Sequence, residues 1–115
     1  MYTDQSIQTV KPPVEDCRRL EKAILTILAY YHGAYEESLQ DWYKALKLVV
    51  PRLGAPEELT GVFRDLSKSG VIQLRKSGAG PYTGRDDAAF FHSSAFTTLL
   101  TPHGLHRWKS REATA

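Results

Sequence analysis

The chain has 115 residues, 42% hydrophobic and 24% charged, with a net charge of +2, a size that buries one core without disulfides or metal and excludes two. Its single cysteine, Cys17, excludes an internal disulfide, and no N-terminal apolar run suits a signal peptide or a membrane span, so a reducing, cytoplasmic setting is expected. The charge divides unevenly: residues 1–67 carry eight Lys/Arg against ten Asp/Glu, and residues 68–115 carry seven against three, so the C-terminal part is the one that attracts an anionic polymer.

Residues 1–13, ending in Pro12-Pro13, read as a flexible leader, and the folded domain is expected over 14–111 with a frayed tail at 112–115. A first helix begins near Val14, since proline is tolerated ahead of a first turn. Val14, Cys17, Leu20, Ile24, Ile27, Leu28 and Tyr31 keep the three-and-four spacing of one buried stripe, and Gly33 supplies a left-handed stop. Ser38 with Asp41 resembles a capping box, and Leu39, Trp42, Tyr43, Leu46 and Val50 follow at helical spacing, predicting a second helix that ends near Val49 before Pro51. Pro56 opens a third helix over 56–69, with Leu59, Val62, Phe63 and Leu66 as its apolar stripe and Gly70 as its end.

Beyond Gly70 the period changes. Val71 to Leu74 is a strand entering a hairpin whose loop, Ser77 to Gly84, is rich in Gly and Pro. Ala88 to Ser93 and Phe96 to Leu100 form either one long bulged strand or two short ones, because Ser93-Ser94 interrupts the run. Thr101 is an N-cap with Pro102 at the first position of a last helix, which carries Leu105 and Trp108 toward the body.

The order is three helices, a strand, a loop, a returning strand and a helix, an α+β arrangement of winged helix-turn-helix type: a three-helix bundle, a β-hairpin wing and a C-terminal helix. Two runs make it specific, Leu59-Thr60-Gly61-Val62-Phe63-Arg64-Asp65-Leu66-Ser67-Lys68-Ser69-Gly70-Val71-Ile72 and Leu99-Leu100-Thr101-Pro102-His103-Gly104. Both resemble the bacterial MarR- and PadR-type transcription regulators, in which a recognition helix steps through Leu-x-x-x-Gly into the wing and the second wing strand ends in Leu-Thr-x-x-Gly. The resemblance covers roughly residues 14–111. It implies a homodimer on double-stranded DNA, with the third helix in the major groove and the wing on a neighbouring phosphate or minor groove.

With the apolar stripe committed to the core, the third helix turns Glu57, Glu58, Thr60, Gly61, Arg64, Ser67 and Lys68 outward, and Thr60, Arg64, Ser67 and Lys68 can donate hydrogen bonds to DNA. Lys44 and Lys47, with Arg52 in the following turn, are either backbone contacts or solvated surface charges. Arg75, Lys76, Tyr82 and Arg85 cluster around the Gly-Ala-Gly-Pro loop as candidate wing contacts. Glu57 and Glu58 suit the helix dipole but repel phosphate.

Other constellations point away from chemistry. The loop glycines match no nucleotide-binding spacing. His92, His103 and His106 lack the cysteine or carboxylate pattern of a zinc site, Cys17 falls in an apolar stripe, and adjacent Glu36 and Glu37 read as loop or first-turn charges. No enzyme activity, cofactor or metal is expected. The aromatic group Tyr30, Tyr31, Tyr35, Trp42 and Tyr43 serves either core packing or a partner. The alternative function is a winged helix that binds another protein and no DNA, which the position of Glu57 and Glu58 relative to the cations discriminates.

Overall fold

The computed structural model describes residues 12–76, 80–84, 87–92 and 94–114; residues 1–11 of the expected leader, the candidate Arg85 and the terminal Ala115 lie outside them. The first apolar stripe forms helix α1 (Val14–Tyr30), which buries Leu20, Ile24, Leu25 and Leu28. Its end is a Schellman cap: the His32 N–H donates to the Ala29 carbonyl at 3.2 Å and the Gly33 N–H to the Leu28 carbonyl at 2.7 Å. The left-handed turn therefore starts one residue before Gly33, at His32 with φ 63°, and continues through Gly33 at φ 94°.

Strand β1 (Ala34–Glu37) follows at once, so Glu36 and Glu37 lie on a strand and not in a loop or a first helical turn. Helix α2 (Leu39–Lys47) is capped by the Ser38 hydroxyl, which accepts from the Asp41 N–H at 3.2 Å, and it buries Leu39, Trp42 and Leu46. It stops before the expected Val49. Leu48 and Val49 are exposed in the turn, while Val50 and Leu53 return to the core. Tyr43 and Lys47 hold this turn: the Tyr43 hydroxyl donates to the Leu53 carbonyl at 3.3 Å, and Lys47 Nζ donates to the carbonyls of Leu53 at 2.6 Å and Pro51 at 3.1 Å.

Helix α3 (Glu57–Lys68) buries Leu59, Val62, Phe63 and Leu66, and also Gly61, whose expected outward position is corrected. Gly70, at φ 81°, ends it with a second Schellman pair, Gly70 N–H to the Ser67 carbonyl and Val71 N–H to the Leu66 carbonyl, both at 3.1 Å. Strand β2 (Ile72–Lys76) alternates buried and exposed positions, and the short strand β3 (Gly80–Pro81) pairs with it.

The returning segment resolves differently from both alternatives expected for it. Asp87–His92 is a helix, α4, and only Phe96–Leu100 is a strand, β4. Two adjacent alanines favour helix over strand, and Phe91 and Phe96 are both fully buried because the helix and the strand each send one ring inward. Helix α5 (Pro102–Thr114) starts at Thr101, whose hydroxyl accepts from the Gly104 N–H at 3.0 Å and donates to the Gly70 carbonyl at 2.5 Å.

Among the described residues the result is an α+β fold of five helices and a four-stranded antiparallel sheet in the order β1-β4-β2-β3. The registers Ala34↔Leu99 and Ile72↔Leu100 set β4 between β1 and β2. The core lies between this sheet and α1, α2 and α3, with rings in contact from Trp42 to Phe63 at 5.2 Å and on to Phe96 at 5.5 Å. No described helix is long and apolar enough to cross a membrane.

Candidate functional site

Helical spacing aligns Arg64, Ser67 and Lys68 on the side of α3 away from its apolar stripe. Opposite them runs the chain that leaves β3. The Tyr82 N–H donates to the Leu74 carbonyl at 2.8 Å, and the Tyr82 ring packs on Phe90 and Phe91 with centroids 5.0 and 5.5 Å away. Gly84, at φ 87°, then turns the chain. The two walls enclose a cleft of about 370 Å³ lined by Arg64, Ser67, Lys68, Tyr82, Thr83 and Gly84.

Three of the nine candidate residues thus meet in one place, and the other described ones are dispersed. Thr60 is half-buried and its hydroxyl donates to the Glu57 carbonyl one turn back at 2.8 Å. Arg75 is exposed on β2, paired in register with Pro81 and Thr97. Lys44 is exposed, 4.0 Å from Asp41, whereas the Lys47 ammonium is engaged by the turn carbonyls and sits 5.6 Å from the Tyr43 ring. Arg52 donates to Asp16 at 2.7 Å, fixing a carboxylate that is otherwise buried in the first turn of α1.

Lys76 is corrected outright. Its side chain is turned inward, leaving the residue only 9% exposed, and the ammonium donates to the carbonyls of Ala89, at 3.2 Å, and Phe90. These are carbonyls of the short α4, whose last four have no partner within the helix, so Lys76 is the cap of α4 and not a surface contact. Burial pushes its pKa below the ordinary lysine value.

Comparison with protein-family models, with curated proteins and with solved structures finds no match.

The two glutamates are turned aside from the cleft. Glu57 lines a separate hollow with Ser38, Gln40, His92 and Ser94, and half-buried Glu58 faces the hollow that contains Asp16 and Arg52. Sequence reasoning found the α3 wall from its apolar stripe and flagged Tyr82, but it missed Thr83 and Gly84. The available signal was a hydroxyl beside a glycine able to take positive φ.

A second concavity, of about 690 Å³, runs between α1 and α5 and is lined by Tyr30, Leu100, Leu105 and Trp108, with Thr26 and His32. The Trp108 indole N–H donates to the Thr26 hydroxyl at 3.0 Å and Arg107 pairs with Glu21 at 3.2 Å, so α5 is fastened along α1. Trp108 does pack against the core, but Leu105 stays 36% exposed, and Tyr30 is 76% exposed. His92, His103 and His106 are all exposed.

Proposed function

We propose that this chain is a winged-helix DNA-binding protein, a homodimeric transcription regulator that uses α3 as its recognition helix and the β2–β4 segment as its wing. The observation that carries the proposal is the shared cleft: Arg64, Ser67 and Lys68 of α3 face Tyr82, Thr83 and Gly84 of the wing segment. Strand order supports it as well. Removing the two-residue β3 leaves β4 between β1 and β2, so the strand returning from the wing is central and β1 joins from between the first two helices, as in a winged helix.

The position of the glutamates supports DNA, since neither Glu57 nor Glu58 lines the cleft. The continuous cationic face that would favour DNA further is not formed among the described residues, with Lys76 turned inward and Lys44 beside Asp41. The contact set is Thr60, Arg64, Ser67 and Lys68 on α3, Arg75 and Arg85 in the wing, and Lys44 on α2. The wing differs from a plain hairpin in carrying α4, which Lys76 and the Phe90–Phe91 pair hold against the sheet. For the dimer, support comes from the apolar groove between the terminal helices α1 and α5, where Tyr30 and Leu105 remain exposed.

Binding of the purified chain to a mixed-sequence duplex over a salt series tests the proposal. Affinity is expected to fall steeply with salt, and Arg64→Ala and Lys68→Ala are each expected to reduce the log–log slope by about 0.9, the value of one lost phosphate contact. Absence of binding even at low salt sinks DNA recognition and moves the assignment to a protein partner, sought by pull-down.

A further inference from the structure

We propose that the cleft between α3 and the wing is a phosphate-binding notch, holding one phosphoryl group between Arg64, Ser67 and Lys68 on one wall and Thr83 and Gly84 on the other. The notch deepens the DNA-binding proposal and rests on it only for the source of the phosphate.

Its lining has the composition such a group requires. Of the six residues, two are cations and three carry hydroxyls, and none is a carboxylate. Arg64 is half-buried, and a guanidinium has the planar fork that suits two phosphate oxygens. Lys68 is exposed and adds an adaptable point charge. At about 370 Å³ the space exceeds what one phosphoryl group fills, leaving room for ester substituents on either side.

The wing wall is fixed in advance. Tyr82 is tied to β2 by its backbone and to Phe90 and Phe91 by its ring, and those phenylalanines belong to the helix that Lys76 caps. Thr83 and Gly84 follow directly from this anchor, which lowers the cost of ordering them on binding. One effect works against an anion here: Ser67 and Lys68 lie in the last turn of α3, at the negative end of the helix dipole. Recognition therefore depends on the two cations outweighing that dipole.

Inorganic phosphate, titrated into the full chain against chloride at equal ionic strength and followed by backbone-amide NMR, tests the notch directly. Saturable shifts are expected at Ser67, Lys68, Thr83 and Gly84, weakened about tenfold or more in the Ser67→Ala/Thr83→Val variant, which loses two charge-assisted hydrogen bonds. The amide spectrum itself reports that the variant is folded. Without such shifts in the wild-type chain the notch is overturned, even if the chain binds duplex DNA.

The DNA arm separates the sources. A backbone phosphate in the notch predicts that the same variant loses about tenfold in duplex affinity with its salt slope unchanged, because no charge is removed. Saturation by phosphate with no duplex binding keeps the notch, assigns it to a free phosphate-bearing molecule and removes the DNA proposal. Tight duplex binding with neither phosphate shifts nor an effect of the variant removes the notch and leaves DNA binding standing.

Discussion

Gly104 sets how closely α5 can approach the sheet. A Cβ at this position would lie 2.0 Å from the Val71 carbonyl oxygen and 2.9 Å from the Leu100 side chain, and the first of these is backbone, so it cannot swing aside. Alanine normally improves a helix by about 1 kcal/mol over glycine, but here the overpacking dominates. Gly104→Ala is expected to cost about 2 kcal/mol net in chemical denaturation; a stabilised variant would show that α5 does not seat on Val71. Tyr35 supplies a pH-dependent counterpart. Burial and then the neighbouring Glu37 charge, which the hydroxyl meets at 3.3 Å, raise its pKa above 10.0. Above about pH 10 the unfolded chain loses this proton first, so stability present below that pH is lost as pH rises through the folded value. Lys76, shifted down, has the opposite sign: between its lowered value and 10.5 the folded chain loses its proton first, and stability rises with pH. Tyr35→Phe removes only the first effect, so its stability is expected to fall less steeply than that of the wild type on the alkaline side, measured by denaturant midpoints from pH 9 upward.

At the scale of elements, α4 is the feature that distinguishes the segment between β2 and β4 from a plain hairpin. Its six residues are too few to be stable by themselves, and it persists because Phe91 is fully buried and because Lys76 satisfies two of its terminal carbonyls. Lys76→Met keeps the apolar stem and removes the donor. The loss of two acceptors' partners is offset in part by relief of a buried charge, so global stability is expected to change by only about 1 kcal/mol, while hydrogen exchange at the amides of Phe91 and His92 accelerates. Unchanged exchange there would mean that ring packing alone holds the helix. This element was not legible in the sequence: six residues give less than two helical turns and no period, and adjacent Phe90 and Phe91 mimic a strand. β1 was missed for a related reason, since Ala-Tyr-Glu-Glu has no β-branched residue and becomes a strand only through its register with β4. By contrast α1, α2, α3 and the start of α5 were readable because Pro, Gly, Ser38 and Thr101 mark ends that apolar periodicity alone leaves vague. The same division runs through the candidate site. Arg64, Ser67 and Lys68 follow from where the α3 stripe is not, whereas the inward turn of Lys76 depends on carbonyls more than a dozen residues away.

For the whole molecule, the two concavities share no lining residue, one lying between α3 and the chain that leaves β3 and the other between α1 and α5. Under the proposed function, one concavity is left for DNA and the other for a second copy. If the proposed dimer forms, two notches joined on one duplex would bind as a linked pair, the second contact being made at an effective concentration far above that of free protein. Tyr30→Glu/Leu105→Glu places two charges on exposed apolar positions of α1 and α5 without touching the buried core. If the terminal helices form the dimer, sedimentation will show the variant as a monomer of unchanged secondary structure, and its affinity for a long duplex will fall by at least about tenfold, within the range that loss of avidity produces. Its response to inorganic phosphate will be unchanged, since the notch belongs to one chain. A variant that remains dimeric would place the contact elsewhere on the molecule, and a wild-type chain that sediments as a monomer at all concentrations would leave the groove between α1 and α5 with no role in assembly.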